Sequence, residues 1–149
     1  QFMKRFLITI ICCVVIFSNS AQTIPQKTRN EFKSMFVGIC KEMNQQTPIH
    51  LDETTTLVFM SFTDWTLTYH YKIDYSYTDF TENQINLILS NLKENGVKGW
   101  RREIHTWGKF SYSQYLSYLR RLGLKIRYDY IGYDNLPFGS FTITCRDLQ

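Results

Sequence analysis

Between Thr66 and Tyr75 every second residue is apolar or aromatic. Leu67, Tyr69, Tyr71, Ile73 and Tyr75 face one way, and Thr66, Thr68, His70, Lys72 and Asp74 face the other. Successive side chains of an extended chain point to opposite faces, so a period of two makes this a strand with one dry side. The run before it, Thr54 to Phe62, is rich in β-branched and aromatic residues, and Thr63-Asp64-Trp65 between the two is turn chemistry. A hairpin with a single apolar face needs something to cover it.

The chain supplies both a second hairpin and the cover. Leu124 to Ile131 places Leu124, Ile126, Tyr128 and Tyr130 on one face, with Lys125, Arg127 and Asp129 on the other. Gly132-Tyr133-Asp134-Asn135 then turns the chain, and Phe138 to Asp147 closes it with Phe141, Ile143 and Cys145 aligned. Pro25 to Asn44 reads as a helix, because Phe32, Met35, Phe36, Ile39, Cys40 and Met43 recur at intervals of three and four. Pro48 lies just beyond its end. Thr81 with Gln84 forms a capping box ahead of Ile85, Ile88, Leu89 and Leu92, and Asn95-Gly96 reads as the stop. Val97 to Lys109 shows no clear period and is expected to be a loop with at most one turn of helix. Ser111 caps a third helix with Tyr112, Tyr115, Leu116, Leu119 and Leu122 inward, ended by Gly123. The expected fold is α+β, in the order α-β-β-α-α-β-β, with a four-stranded antiparallel sheet packed by helices on one face.

A different pattern governs the N-terminus. Lys4 and Arg5 precede an apolar run from Phe6 to Phe17, and Ser18, Asn19, Ser20 and Ala21 follow. A basic start, a short apolar stretch and small residues make a secretory signal peptide, with Met3 as its start and cleavage after Ser20 or Ala21. The run is shorter than the roughly 20 residues of a membrane span. Cys12-Cys13 lie in mid-run behind Ile10 and Ile11, a poor context for lipidation. The expectation is a signal peptide over 1–21 and a single exported domain over 22–149, periplasmic or secreted, with no transmembrane segment after cleavage.

Charge excludes one class of partner. The net charge falls from +4 to +2 when Lys4 and Arg5 leave with the signal, too little to imply nucleic acid. Its distribution is uneven. Lys93, Lys98, Arg101, Arg102, Lys109, Arg120, Arg121, Lys125 and Arg127 crowd one stretch, whereas Asp52 to Glu82 is acidic. Either these charges answer one another at the surface, or the basic stretch meets an anionic polymer or lipid surface.

Asn44, Pro48, Leu51-Asp52, Thr55 and Leu57 are followed by Leu67-Thr68-Tyr69-His70-Tyr71. Leu122-Gly123-Leu124 runs into Tyr128-Asp129-Tyr130, and Ile143-Thr144-Cys145 comes last. This series resembles a loose group of small exported bacterial α+β proteins, built as helix, hairpin, helices and a hairpin with a terminal cysteine. The resemblance implies a fold and a compartment but no active site. The chain departs from that pattern in lacking a further cysteine before its third helix, which removes any second disulfide.

Cys40 and Cys145 are the cysteines left after cleavage, both on apolar faces in an oxidising compartment. A Cys40–Cys145 disulfide closing about a hundred residues would stabilise by roughly 4 to 5 kcal/mol. Two separate buried thiols are the other reading. His50, His70 and His105 lack the spacing of a zinc site, and neither a metal nor a cofactor is expected. Trp100 and Trp107 flank Arg101, Arg102 and His105, a mixture favoured at recognition surfaces, although indoles also pack in cores. The expectation is therefore an exported envelope protein acting as a binding or inhibitor-like module through Trp100, Arg101, Arg102, His105 and Trp107. Its partner would be an envelope protein or an anionic polymer. The alternative is a small hydrolase of cell-wall or nutrient polymer using acids such as Asp52, Glu53 and Asp74.

Overall fold

Helix α1 (Gln26–Gln46) presents Phe32, Phe36 and Cys40 to the interior, the stripe its sequence period requires. The computed structural model describes residues 23–149, so the expected signal peptide, its cleavage site and Cys12-Cys13 lie outside the described residues. After α1 come β1 (Ile49–His50), β2 (Thr55–Thr63) and β3 (Thr66–Ile73), then a 3-10 turn at Tyr77–Asp79. Helices α2 (Glu82–Thr106) and α3 (Tyr112–Leu122) follow, and β4 (Lys125–Ile131) and β5 (Pro137–Thr144) complete the chain. Both forecast hairpins form, and Asp64 and Trp65 turn the first with positive φ at both positions. The caps form as well: Thr81 with Gln84, Ser111 with Gln114, and Gly123 left-handed at φ 73°.

The sheet differs from the expected one in two respects. It has five strands in the order β1-β2-β3-β4-β5, because the short β1 pairs with β2 at Ile49↔Leu57. It is also mixed rather than wholly antiparallel, since β3 and β4 run parallel with Tyr69 beside Tyr128 and Tyr71 beside Tyr130. The reason lies in α2. The expected stop at Asn95-Gly96 does not occur, and the helix continues through the forecast loop to Thr106. Its 25 residues reach about 37 Å, against about 27 Å for an eight-residue strand. So long a helix carries the chain back past the start of β3, and β4 must then set out in the same direction.

Gly96 permits the passage. A Cβ there would stand 2.9 Å from Ile143 Cδ1, so the missing side chain lets α2 sit down on β5 instead of ending the helix. Helix α1 packs on β2 and α2 on β5. The Asn44 side chain ties α1 down, donating to the Met60 carbonyl at 2.8 Å and accepting from the Met60 N–H at 2.7 Å. Between the two helices lie β3 and β4, whose inward side chains are the tyrosines.

Candidate functional site

Tyr69, Tyr71, Tyr128 and Tyr130 stack on one another across β3 and β4. Ring centroids are 4.9 Å apart for Tyr69–Tyr128 and 5.1 Å for Tyr71–Tyr130, and 6.1 Å for Tyr69–Tyr71. The parallel register creates this quartet, because it sets both tyrosine stripes side by side on one face. Helices rest on the flanking strands, and two cavities adjoin the quartet, Tyr69 and Tyr128 lining one and Tyr71 and Tyr130 the other; together they are called the cleft, and each a lobe.

The first lobe, of about 430 Å³, has Ile39, Glu42 and Met43 of α1 on one wall. Gly96, Gly99, Trp100 and Glu103 of α2 form the other, over Tyr69 and Tyr128. The second, of about 550 Å³, is lined by Tyr71 and Tyr130 with Ile73, Tyr75, Phe80, Ile88 and Leu92, and by Leu51 and Asp52. Leu51 and Tyr75 remain 56% and 42% exposed. Cleft size, apolar lining and sparse polar groups match a binding site.

Trp100 is the cleft's most constrained wall residue. It is only 6% exposed, and its Nε1–H donates to the Tyr128 hydroxyl at 3.1 Å. Gly99 beside it is the opposite: a Cβ there would meet nothing within 4 Å. Burial pushes the Tyr69, Tyr71 and Tyr130 phenols far above the ordinary range. It raises Tyr128 too, against the lowering effect of the Trp100 donor. A phenol whose folded pKa is raised favours the fold fully below the unfolded pKa of about 10, and that contribution is lost as pH rises past it. In an alkaline titration, the quartet's tyrosinate absorbance should appear only together with loss of the circular dichroism signal. Tyrosinate absorbance from the quartet while the circular dichroism signal is still native would contradict the burial of these phenols.

The residues singled out in the sequence do not form one loop. Trp100, Arg101, Arg102 and His105 are all in α2, and Trp107 follows its last turn. Trp100 lines the cleft. Trp107 packs edge-on against Phe36, Trp100 and Tyr115, while its Nε1–H donates to Glu103 Oε1 at 3.2 Å. Arg101 turns away to donate to the carbonyls of Asp147 and Gln149 at 3.0 and 2.6 Å. His105 stacks on Tyr112 at 4.3 Å, and Arg102 is exposed. Of the rest of the basic stretch, Lys93 pairs with Asp147, Lys98 with Glu94, Lys109 with Glu31 and Arg127 with Asp129. Arg120, Arg121 and Lys125 are exposed and in no ion pair among the described residues.

Cys40 and Cys145 are buried free thiols, not the expected disulfide. Each lies on an apolar face, as read, but against different neighbours. Cys40 lies on the inner face of α1, whereas Cys145 follows β5 with its Sγ 3.9 Å from the Leu124 carbonyl. Burial raises both thiol pKa values, which disfavours a nucleophilic role.

One cluster on the opposite, open face of the sheet has hydrolytic residue types. His70 Nε2 is 3.3 Å from Ser61 Oγ, and its Nδ1 is 3.8 Å from Asp129 Oδ2. The second distance is beyond a hydrogen bond, and Asp129 is held instead by Arg127 Nε at 2.7 Å. The imidazole stacks flat on Phe59 at 3.9 Å, and burial lowers its pKa, with Asp129 opposing and Arg127 adding. This is a stacked surface histidine rather than a base oriented by its acid. Of the acids named for a hydrolase, Asp52 is occupied by its own turn, accepting from Thr54 N at 2.8 Å. Among the described residues no cluster of three His, Cys, Asp or Glu side chains is placed to hold a metal ion.

No family model matches the chain, and no curated protein matches it in sequence. Two solved structures share its fold. A crystallised Pseudomonas aeruginosa protein described as secreted is 16% identical at a TM-score of 0.51, over 80% of this chain and 94% of that one. EpsS, a pilotin of the Vibrio vulnificus type 2 secretion system, is 11% identical at a TM-score of 0.55, over 84% of this chain and 98% of that one. At such identities the likeness is one of architecture: helices on a sheet of this kind also occur in a secreted protein and in a secretion-system pilotin.

Proposed function

We propose that the protein is an exported envelope module that binds an apolar, helical segment of another envelope protein, a secretion-system component being the leading class. The observation that carries this reading is the tyrosine-floored cleft left open between α1 and α2. A groove with an apolar floor and two helical walls suits an amphipathic helix, whose one apolar stripe completes a three-helix layer on the sheet. The N-terminal pattern supports export. The pilotin's membership of a secretion machine supports the class of partner. In this reading Trp100 is a binding residue as part of the wall, whereas Arg101, Arg102, His105 and Trp107 serve the helix and its packing.

The test is a nuclear magnetic resonance titration with a synthetic amphipathic helical peptide of neutral polar face. Shifts should concentrate on Gly96, Gly99, Trp100 and the four tyrosines. Shifts centred on Arg102 and His105, or none at millimolar peptide, would contradict the proposal.

A further inference from the structure

The cleft carries a sign as well as a shape. Its charged lining residues are Glu42 on the α1 wall, Glu103 on the α2 wall and Asp52 in the second lobe. All three are acids, in a chain whose net charge is +2 once Lys4 and Arg5 are left out. Among the described residues none of them takes part in an ion pair, although Glu31, Glu94, Asp129 and Asp147 each do. Glu103 is engaged only with the neutral Trp107 indole, and Asp52 with Thr54. Six carboxylates away from the cleft, Glu53, Asp64, Asp74, Asp79, Glu82 and Asp134, are likewise without an ion pair among the described residues. The cleft differs in that every charged residue lining it is acidic.

Resting on the binding proposal above, we infer that the occupant is a cationic amphipathic helix of about four turns. Its apolar stripe lies on the tyrosine floor, and lysines or arginines on both flanks meet Glu42, Glu103 and Asp52. Length follows from the wall. Ile88 and Glu103 mark the extent of α2 along the two lobes, fifteen residues apart, or about 22 Å. Acids on both walls require cations on both edges of the stripe, a pattern that an anionic or one-sided helix does not meet. Such rim charges contribute to partner choice and association rate more than to affinity, and they are sensitive to salt.

The experiment compares three fifteen-residue helical peptides with one apolar stripe and flanks of lysine, glutamine or glutamate. Each is titrated into the protein by calorimetry at low and high salt. The lysine peptide should bind about tenfold tighter than the glutamate peptide at low salt, as three exposed pairs of modest strength would give. That preference should shrink at high salt and vanish in the Glu42→Gln/Asp52→Asn/Glu103→Gln protein, with the glutamine peptide unaffected. Equal binding of all three, or tighter glutamate binding, would overturn the inference and leave the cleft reading intact. Failure of all three would remove both. Concentration-dependent self-association with no peptide binding would do the same, assigning the cleft to a second copy of the chain. The salt dependence of the unaltered protein decides the matter even if the triple variant folds poorly.

Discussion

Replacing Trp100 by alanine should lower the unfolding free energy by about 3 to 5 kcal/mol, the range for removing a large buried aromatic side chain. The indole is enclosed by Trp107 and the sheet, and it donates the hydrogen bond that holds the Tyr128 hydroxyl. Truncation therefore opens a cavity and strips a buried phenol of its partner at once. For a domain of this size the melting temperature should fall by roughly 10 to 20 °C. Trp100→Phe keeps most of the packing and loses only the donor, so its fall should be clearly smaller. An unchanged melting temperature in Trp100→Ala would mean that the side chain is a surface group, and the cleft would lose a wall.

The sheet's two tyrosine stripes were legible as inward faces, because a period of two is a backbone property that tertiary context rarely overrides. Their function as a cleft floor was not. Whether an inward strip is covered depends on where two helices land, and α1 and α2 land on β2 and β5. The length of α2 shows how a local rule misleads. Asn-Gly is ordinarily a helix stop, yet Leu92, Gly96, Trp100 and Ile104 continue at intervals of four on one face. Reading Gly96 as a contact position rather than a cap would have extended the helix, and with it the parallel pairing of β3 and β4. The cysteines failed for a related reason. Two residues on apolar faces share a core without sharing a neighbourhood, and spacing in sequence carries no information on that. His70 was read as a surface group and is one, although its stacking on Phe59 depends on strand register and the irregularity at Leu57/Phe59.

Gly99 gives the largest expected effect on binding with the least on the fold. Glycine in a helix interior costs about 1 kcal/mol relative to alanine, so almost any residue without strain there improves the helix. Open space surrounds its missing Cβ, and it lines the first lobe beside Trp100. Gly99→Trp should fill that lobe while leaving the protein at least as stable. Gly96→Ala makes the useful contrast: three residues earlier in the same helix, a methyl group meets Ile143 and should destabilise by about 1 to 3 kcal/mol through overpacking.

The most direct measurement is therefore a titration of one amphipathic peptide into the unaltered protein and Gly99→Trp, with both melting temperatures recorded. The cleft account predicts binding by the first, at least a hundredfold weaker binding by the second (about 2.7 kcal/mol), and no fall in melting temperature. Equal affinity in two equally stable proteins would contradict it, because the segment would then be held somewhere other than between α1 and α2.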